Sequence, residues 1–500
     1  MSSGRRSDRW QAGLIVAAAV LGVGIYLAWS IAFGVWGFAL DDAWIHQTYA
    51  RNLVESGQFA FVPGQPSSGS TSPLWTLLIA LGYLLRIDYK SWTYALGALS
   101  LIATALGVWQ LSRRLFPERP SAALVAGLAC ALEWHLIWAA VSGMETVLFT
   151  ALAAWLFVAT ISGAASPIKQ PFLASLLSGL LVLTRPEGLL LIALMMLAHI
   201  LQEGWWQRAA WTTLGSMLLG ILLLLAPWLA FNWQTSGTPF PNTFYAKQIE
   251  YASVLATVPF VQRISQVFLA PFIGAQVLLI PGLVAAAWSV LHRALKHRTW
   301  MQLVPVAWVM VHLGLYAVRL PVAYQHGRYE MPVIPSLIAL SVGGTAMLLR
   351  WNAAHSWPRV LSRAMTLACA LTLLAFVLIG ARAYSADVAI IEGEMVRVAR
   401  WLAAATQPTD LIAAHDIGAI GYFTRRPLLD LAGLVSPEVI PFIRDERRLN
   451  DFVRQRGAAF LVTFPAWYPE LVRQAGLLPV FAGNAPASPE HITVYRLPGP

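Results

Sequence analysis

Two adjacent carboxylates, Asp41 and Asp42, stand where the chain leaves its first long apolar run. They open a polar segment, residues 37–75, that is longer and more polar than any later stretch between apolar runs. Charges at a membrane boundary are costly unless they are solvated or used. A carboxylate pair suits general-base chemistry on a hydroxyl group, or the binding of a divalent cation. The alternative is structural, because carboxylates also stabilise the first turn of a helix.

The residues after Asp42 are spaced for a helix that points polar groups in one direction. In a helix, Asp42, His46 and Tyr49 fall on one strip. The segment then passes through a loop of small residues, SSGSTSPLW, which contains Ser70 and Thr71 and ends in a helix that starts at Pro73. This loop is either a plain turn and cap, or its hydroxyl and N–H groups approach a phosphate of the substrate.

Four further polar clusters interrupt the apolar sequence. They are SGMET with Glu145, TRPEG with Arg185 and Glu187, TPFPNTFYAK with Asn242 and Lys247, and QHGRYEMPVIP with His326, Arg328, Tyr329 and Glu330. Arginine binds phosphate oxygens bidentately, and a lone lysine can contact an anionic head group. Structural interpretations stay open, because Arg185 can pair with Glu187 and Lys247 can snorkel to the membrane interface.

The elements that position these clusters are predicted to be membrane helices. The chain has 500 residues, of which 58% are hydrophobic and only 12% are charged, against about 25% charged in typical soluble domains. The net charge of +10 is spread over short loops between apolar runs. We attribute it to the positive-inside rule and predict no nucleic-acid partner. Two cysteines, Cys130 and Cys369, lie in separate apolar runs, so no disulfide is predicted.

Hydropathy predicts about eleven spans in residues 1–384, with a cytoplasmic N-terminus. The predicted spans are 11–36, 92–112, 121–140, 146–163, 171–184, 189–202, 211–231, 267–291, 300–318, 332–349 and 363–381. The run 73–87 is short, so we predict that it re-enters or lies at the interface and that the first outer loop covers 37–91. Residues 248–266 are typical of an amphipathic surface helix. With this topology every polar cluster falls at the outer ends of spans.

The C-terminal part, residues 385–500, alternates predicted helices and strands. The predicted strands are 410–416, 427–434, 458–464 and 491–497, and the predicted helices are 393–406 and 437–455. Such alternation indicates a small α/β domain, which the predicted topology places outside the cell membrane.

A set of carboxylates and cations on the outer face suits glycosyl transfer from a lipid phosphate. A carboxylate would activate the acceptor hydroxyl, and cations would stabilise the departing phosphate. A bundle of apolar helices would hold the polyprenyl chain. A lipid-linked-sugar flippase or other transporter is the alternative, but transporters tend to place charges at mid-depth in two symmetric halves. A third alternative is a scaffold whose C-terminal domain binds a partner.

The clusters in DDAWIHQTYARNL, STSPLW, SGMET, LTRPEG, PNTFYAK and HGRYEMPVIP resemble the GT-C superfamily of membrane glycosyltransferases. Among its members, the mycobacterial terminal arabinofuranosyltransferases are the most similar, with protein O-mannosyltransferases and the lipid A aminoarabinose transferase more distant. The resemblance covers about 37–335 and extends more loosely to 415–438. It implies a cell-envelope pentosyl- or hexosyltransferase that uses a polyprenyl-phosphate sugar. The acceptor would be a glycan, glycolipid or protein, and transfer would occur with inversion.

The resemblance also implies roles for single residues. The family's base maps onto Asp41, with Asp42 as neighbour or alternate, and its second outer-loop acid maps onto Glu145. The phosphate-binding groups map onto Arg328 and Lys247, and less closely onto Arg185 and His326. Some members of the family need a divalent metal such as Mg²⁺ or Mn²⁺ and others do not. The sequence contains no compact ligand cluster, so no metal-ligating residues are assigned and the use of a metal stays open.

Overall fold

The computed structural model describes residues 2–161, 171–321, 324–349, 354–473 and 477–498. The predicted inner loop with Lys169 lies outside the described residues. The chain is mainly α-helical, with a small sheet near its C-terminus. The helices of the first part are Ser2–Ala32, Asp42–Ser56, Pro73–Leu84, Tyr89–Leu115, Pro120–Ala131, Trp134–Val141, Thr146–Thr160, Pro171–Thr184, Gly188–Glu203, Arg208–Ser236, Asn242–Glu250, Ala252–Thr257, Phe260–Leu269, Ile280–His297, Val304–Arg319, Tyr324–Gly327, Ile334–Leu348 and Ser356–Ile391.

Seven helical stretches in the described ranges are long and apolar enough to cross a membrane, and up to nine if each of two bent helix pairs forms one span. The seven are Arg6–Ala32, Tyr89–Leu115, Ala210–Ser236, Ala275–His297, Trp300–Arg319, Tyr324–Leu348 and Ser356–Ala405. The chain is therefore a multi-pass membrane protein. The predicted count of about eleven is reached only if one bent pair and three shorter apolar helices, Thr146–Thr160, Pro171–Thr184 and Gly188–Glu203, also cross.

Two predicted spans differ from the structure for local reasons. The span 121–140 is divided into Pro120–Ala131 and Trp134–Val141, which meet at 46°. The first helix ends at Ala131, and Glu133 caps the second, because its side chain accepts a hydrogen bond of 2.9 Å from the N–H of Leu136. The helix of span 267–291 begins only at Ile280, because the chain before it forms two short 3₁₀ turns on either side of Gly274, whose φ is +132°.

The polar segment 37–75 forms a compact unit between the membrane helices. Helix Asp42–Ser56 ends at Gly57, which has a left-handed φ of 70°. A short hairpin of strands Ala60–Val62 and Gln65–Pro66 follows. Helix Pro73–Leu84 has 12 residues, and it rises only about 18 Å, well short of a hydrocarbon core of roughly 30 Å. This length agrees with a segment that does not cross the membrane.

The predicted amphipathic helix 248–266 is three helices instead, Asn242–Glu250, Ala252–Thr257 and Phe260–Leu269. Pro259 immediately precedes the third helix. A proline disfavours continuation of a helix, and so does the residue before a proline. The first helix starts at Asn242 after two prolines at 239 and 241. It carries Lys247 one and a half turns further on.

The C-terminal part follows a long helix without interruption. Helix Ser356–Ile391 passes through the predicted domain boundary at 384 and 385, and continues as a π-helical turn, Glu392–Val396, and helix Arg397–Ala405. The further helices are Gly418–Thr424, Glu446–Gln455 and Pro469–Val472. The predicted helix 437–455 is a 3₁₀ turn, Pro437–Phe442, and then a helix that Asp445 caps by accepting a bond of 3.1 Å from the N–H of Arg448.

Five strands form one mixed sheet in this part, which confirms the predicted α/β organisation. In spatial order they are Leu428–Asp430, Ile412–Ala414, Phe460–Thr463, Thr493–Arg496 and Leu478–Ala482. The first three are parallel and the last two are antiparallel to their neighbours. Strand Leu478–Ala482 was not predicted, because it lies at the sheet edge, contains Pro479 and lacks a buried face.

The core is continuous from the membrane helices into the C-terminal part. One cluster of buried apolar residues contains Leu40 and Trp44 of the polar segment together with Ile417 and Ile420 of the C-terminal part. The carboxyl ends of the three parallel strands therefore lie against the polar segment, and loops at this end of the sheet reach the site described next.

Candidate active site

A cavity of about 740 Å³ lies where the polar segment, the ends of several helices of the first part and the C-terminal part meet. Ten of the residues predicted from the sequence line it. They are Asp42, His46, Ser70, Thr71, Glu145, Arg185, Glu187, Lys247, Arg328 and Tyr329. These residues come from stretches as far apart as residues 42 and 329. The fold therefore collects most of the polar clusters into one chamber.

Asp42 and His46 face the cavity from the first turns of helix Asp42–Ser56. Oδ2 of Asp42 accepts a hydrogen bond of 2.6 Å from Nη2 of Arg328. His46 Nδ1 lies 2.9 Å from Oγ1 of Thr76, and its Nε2 lies 3.6 Å from a carboxylate oxygen of Glu145. The helical strip that the sequence predicts is therefore formed, and it carries an acid and an imidazole into the site.

Three cations surround the ring of Tyr329. Arg328 Cζ lies 4.9 Å, Lys247 Nζ 5.3 Å and Arg185 Cζ 5.4 Å from the ring centroid. The Tyr329 hydroxyl accepts hydrogen bonds of 2.6 Å from Lys247 and 3.0 Å from Arg328. We call Arg185, Lys247 and Arg328 the cation cluster. Like charges this close repel one another, so the cluster is suited to an anion placed between them.

One donor of the cation cluster has no hydrogen-bond partner among the described residues. Arg328 is only 4% exposed. Within the ranges that the structure describes, its Nη1 is buried and has no hydrogen-bond partner. A buried donor without a partner costs roughly 1–3 kcal/mol, which a bound phosphate oxygen would recover.

Two carboxylates of the cavity wall form ion pairs with Arg185. Arg185 lies 3.2 Å from Oε1 of Glu187 and 3.7 Å from Oε1 of Glu145. Tyr316 also hydrogen bonds to Glu187 and to Arg185. The pairing of Arg185 with Glu187, which is the structural interpretation of TRPEG, is present, and the pair lines the cavity.

The adjacent aspartates have different electrostatic surroundings. Burial raises the pKa of Asp41 to about 6, against the opposing effect of two backbone N–H groups. Burial also acts to raise the pKa of Asp42, but the charges of Arg328 and Lys247 outweigh it and hold this pKa at about 2. Burial lowers the pKa of His46 below its usual 6.5 despite the nearby carboxylates.

Asp41 is the predicted site residue whose placement differs most from expectation. Its carboxylate points away from the cavity and accepts hydrogen bonds of 2.7 Å from the N–H of Gly418 and 2.8 Å from the N–H of Ala419. Both donors belong to the first turn of a helix in the C-terminal part. Of the two adjacent acids it is Asp42 that lines the cavity.

Three other predicted residues also lie behind the cavity wall in the described structure. His326 pairs at 2.8 Å with Asp387 of the long helix and packs against Trp138. The Tyr49 hydroxyl lies 2.7 Å from Ser67 Oγ and accepts a bond of 3.0 Å from the N–H of Gly69.

Asn242 joins two walls of the cavity. Its side chain donates to the carbonyl of Leu434, and its N–H donates to the carbonyl of Ser68, at 3.3 and 3.1 Å. Asn242, Tyr49 and His326 therefore hold loops that line the site. Because their partners come from other parts of the chain, the sequence alone could not distinguish this structural role from direct contact with a substrate.

Several lining residues were missed. Tyr316 and Arg319 lie one helical turn apart at the end of helix Val304–Arg319 and both face the cavity. A tyrosine and an arginine three residues apart at the end of an apolar run are a signal that sequence reasoning could have used. Leu434 also lines the cavity, and nothing in its local sequence indicates contact with a site about 390 residues away.

Potential metal ligands are not clustered in the described part of the chain. No three His, Cys, Asp or Glu side chains there are grouped so that they could hold a metal ion. The acidic groups of the cavity are instead paired with cations, as in the contact of Asp42 with Arg328.

Comparison with known proteins gives matches at the level of the fold. Residues 384–495 match a family described only as a domain of unknown function (DUF8728). No curated protein matches the sequence.

Solved structures with a similar architecture include ArnT and an archaeal oligosaccharyltransferase. ArnT from Cupriavidus metallidurans bound to undecaprenyl phosphate aligns with a TM-score of 0.61 over 99% of this chain and 98% of its own, at 14% identity. The apo form of ArnT aligns with a TM-score of 0.60 over 97% of both chains, at 15% identity. The Archaeoglobus fulgidus oligosaccharyltransferase aligns with a TM-score of 0.60 over 90% of this chain and 69% of its own, at 12% identity.

The chain thus has the GT-C fold, a polytopic helical bundle with a C-terminal α/β domain. At these identities the comparison establishes the fold alone.

Proposed function

We propose that this protein is a glycosyltransferase that moves a sugar from a polyprenyl-phosphate donor to an acceptor hydroxyl. The observation that carries the proposal is the cation cluster around Tyr329, with the unpartnered Nη1 of Arg328, in a chamber that also holds Asp42. The same chamber has an extended apolar lining. Its apolar members include Leu189, Leu190, Phe240, Phe244, Leu315 and Leu320.

This combination matches a phosphate attached to a hydrocarbon chain. The cation cluster would bind the phosphate through charge-assisted hydrogen bonds, and the apolar wall would bind the first isoprenoid units. A soluble nucleotide sugar would not need the apolar wall. The similar fold of ArnT, whose structure contains undecaprenyl phosphate, supports the same donor class.

In this mechanism Asp42 is the general base. Its carboxylate takes the proton of the acceptor hydroxyl while the hydroxyl oxygen bonds to the anomeric carbon, and the bond from that carbon to the phosphate oxygen breaks. Attack on the face opposite the phosphate inverts the anomeric configuration. The polyprenyl phosphate leaves with the added negative charge, which the cation cluster stabilises.

The resting contact between Asp42 and Arg328 fits this sequence of events. A donor phosphate competes for Arg328, and the competition frees the carboxylate and moves its pKa towards its ordinary value. Glu145 would be the second acid and would keep Arg185 oriented. The prediction that Asp41 is the base is not adopted, because both of its oxygens are occupied by backbone N–H groups.

We further propose that the cavity and the C-terminal domain face the outside of the cytoplasm and that the N-terminus is cytoplasmic. The distribution of basic loops in the sequence supports this orientation. The acceptor would then be a glycan, glycolipid or protein of the cell envelope. For the sugar, we propose a pentose or hexose, because the motifs of the sequence resemble those of the arabinofuranosyltransferases.

The test is a transfer assay with the purified protein in nanodiscs. Donors would be undecaprenyl phosphates that carry single labelled sugars, and membranes from cells that lack the protein would supply the acceptor. Release of undecaprenyl phosphate and labelling of the acceptor would both be measured. We expect both with at least one donor.

The matched variants are Asp42→Asn and, as the control, Asp88→Asn. Loss of a general base lowers turnover roughly 10²–10⁴-fold. Asp88 caps helix Tyr89–Leu115 outside the cavity, so its variant should keep full turnover. Full turnover by Asp42→Asn would remove Asp42 from the mechanism. Movement of the labelled lipid across vesicles without bond cleavage would favour a flippase instead.

A further inference from the structure

The contact between Asp41 and the C-terminal domain joins two parts of the chain that are far apart in sequence. The acceptor oxygens of Asp41 and the N–H donors of Gly418 and Ala419 are separated by 377 and 378 residues. Each carboxylate oxygen takes one donor, at 2.7 and 2.8 Å. Hydrogen bonds to an ionised acceptor are about twice as strong as neutral ones, so this contact is well suited to hold the domain in place.

The geometry at residue 418 is specific to this contact. A Cβ atom built at Gly418 would lie 2.0 Å from the carbonyl oxygen of Asp41 and 2.7 Å from its Oδ2. Only a residue without a side chain lets the two backbones approach so closely. The contact therefore depends on both partners, and it can be broken from either side.

Other contacts surround this one and join the same two parts. Arg51 Nη1 donates to the carbonyl of Tyr422 at 2.6 Å, and the hydroxyls of Tyr83 and Tyr422 lie 3.0 Å apart. At the exposed edge, Arg425 forms two bonds of 2.9 and 3.1 Å with Glu55. Helix Gly418–Thr424 is therefore packed against helix Asp42–Ser56 along its length.

The docked domain closes the cavity. The loop that follows strand Leu428–Asp430 brings Leu434 into the cavity wall, where its carbonyl accepts from Asn242. Asp430 fixes this loop by accepting bonds from the N–H groups of Ala432 and Val435 at 2.8 and 2.7 Å. A change in how the domain docks would move a wall of the chamber.

We propose that Asp41 is a positioning residue that clamps the C-terminal domain onto the helix carrying Asp42, and so fixes both Asp42 and the Leu434 wall. The catalytic consequence of this inference rests on the proposed function. The clamp itself does not, because it can be measured without any substrate. The competing view, in which Asp41 is the base, gives the same loss of activity on mutation, so the experiment has to separate the two.

The first measurement is amide hydrogen exchange of residues 417–420 in the full-length protein in nanodiscs. In Asp41→Asn the side chain has one acceptor oxygen and one NH₂ group that donates, whereas the N–H groups of Gly418 and Ala419 need two acceptors. We expect exchange at these amides to become at least tenfold faster in Asp41→Asn, and likewise in Gly418→Ala, which changes no titratable group. Unchanged protection in both variants would overturn the clamp, whatever the protein's activity is.

The second measurement asks whether tethering the domain restores turnover. Glu55→Cys and Arg425→Cys would be joined by a bismaleimide, in a protein whose native thiols, Cys130 and Cys369, are replaced by serine. The tether should not change the turnover of the protein that retains Asp41. It should restore the turnover of Asp41→Asn to within a few-fold of that value. If the tether restores amide protection but turnover stays at the low level of the untethered variant, Asp41 acts chemically and the inference is overturned. The single variant Arg425→Gln is the control, because an exposed ion pair contributes little.

Discussion

Arg328 and Asp42 are 286 residues apart in the sequence, and Nη2 of the first donates to Oδ2 of the second at 2.6 Å. This contact joins the two halves of the proposed chemistry, because one residue belongs to the cation cluster and the other is the proposed base. It also pairs the proposed base with a cation in the resting site. A substrate phosphate has to replace the carboxylate as the partner of Arg328 before the carboxylate can act.

Lys247→Gln should weaken binding of undecaprenyl phosphate by roughly 10- to 150-fold, which corresponds to the loss of one charge-assisted hydrogen bond of about 1.5–3 kcal/mol. Lys247 is the most informative member of the cluster, because its hydrogen bond goes to the Tyr329 hydroxyl and not to a carboxylate. Binding would be measured by native mass spectrometry in detergent micelles. Arg208→Gln is the matched control, since Arg208 is exposed outside the cavity. Equal affinity of Lys247→Gln and wild type would place the phosphate elsewhere.

Asp387→Asn should raise the KM for the donor several-fold and leave kcat nearly unchanged. Gln325, His326 and Gly327 precede Arg328 with left-handed φ values of 55°, 57° and 68°, and such residues persist only where their surroundings hold them. Asp387 provides this support by accepting bonds of 2.8 Å from both His326 and Trp138.

Steady-state kinetics on Asp387→Asn and His326→Ala test this role. If His326 only positions Arg328, the two variants should show the same KM effect. Trp138→Phe removes one of the two bonds to Asp387 and should have a smaller effect. A KM effect in His326→Ala alone would return His326 to the role of phosphate ligand that the sequence suggested.

The stabilising effect of Asp42 should disappear only in strong acid. Its pKa is lowered from the ordinary 3.8 to about 2, mainly by Arg328 and Lys247 acting against burial. A group whose pKa is lower in the folded than in the unfolded protein stabilises the fold at pH values above its unfolded pKa. This stabilisation is lost as the pH falls to the folded pKa. The difference in Tm between wild type and Asp42→Asn should therefore be constant from pH 7 to 5 and shrink between about pH 4 and 2.

Thermal unfolding at a series of pH values checks this directly. In an Arg328→Gln background the pKa of Asp42 should be lowered much less. The acid-dependent change in the Tm difference should then start at higher pH or vanish. A wild-type difference that already disappears between pH 7 and 5 would mean that Asp42 is not held ionised by the cation cluster.

The sequence alone determined much of this protein. Long apolar runs can form only membrane helices, and clusters such as TRPEG or HGRYE in such a chain have to be paired, solvated or used. This reasoning led to ten of the residues that line the cavity, and to the α/β fold of the C-terminal part. It did so because burial cost depends on residue type and local spacing, both of which are visible in the sequence.

Other features depended on contacts between distant parts of the chain. Arg185, Lys247 and Arg328 share one aromatic ring only because three separate segments end at the same place. Leu434 reaches the cavity because its domain docks there. Neither the shared ring nor the position of a remote loop leaves a local pattern in the sequence.

The two adjacent aspartates show the division most clearly. The sequence marked Asp41 and Asp42 as a functional pair but could not assign them separate roles. In a helix with 3.6 residues per turn, neighbouring side chains point about 100° apart, so one of the two must face away once the other faces the cavity. Which one does so depends on how the helix is rotated, and packing against the membrane helices and the C-terminal domain sets that rotation. Only the tertiary structure directs Asp42 to Arg328 and Asp41 to Gly418.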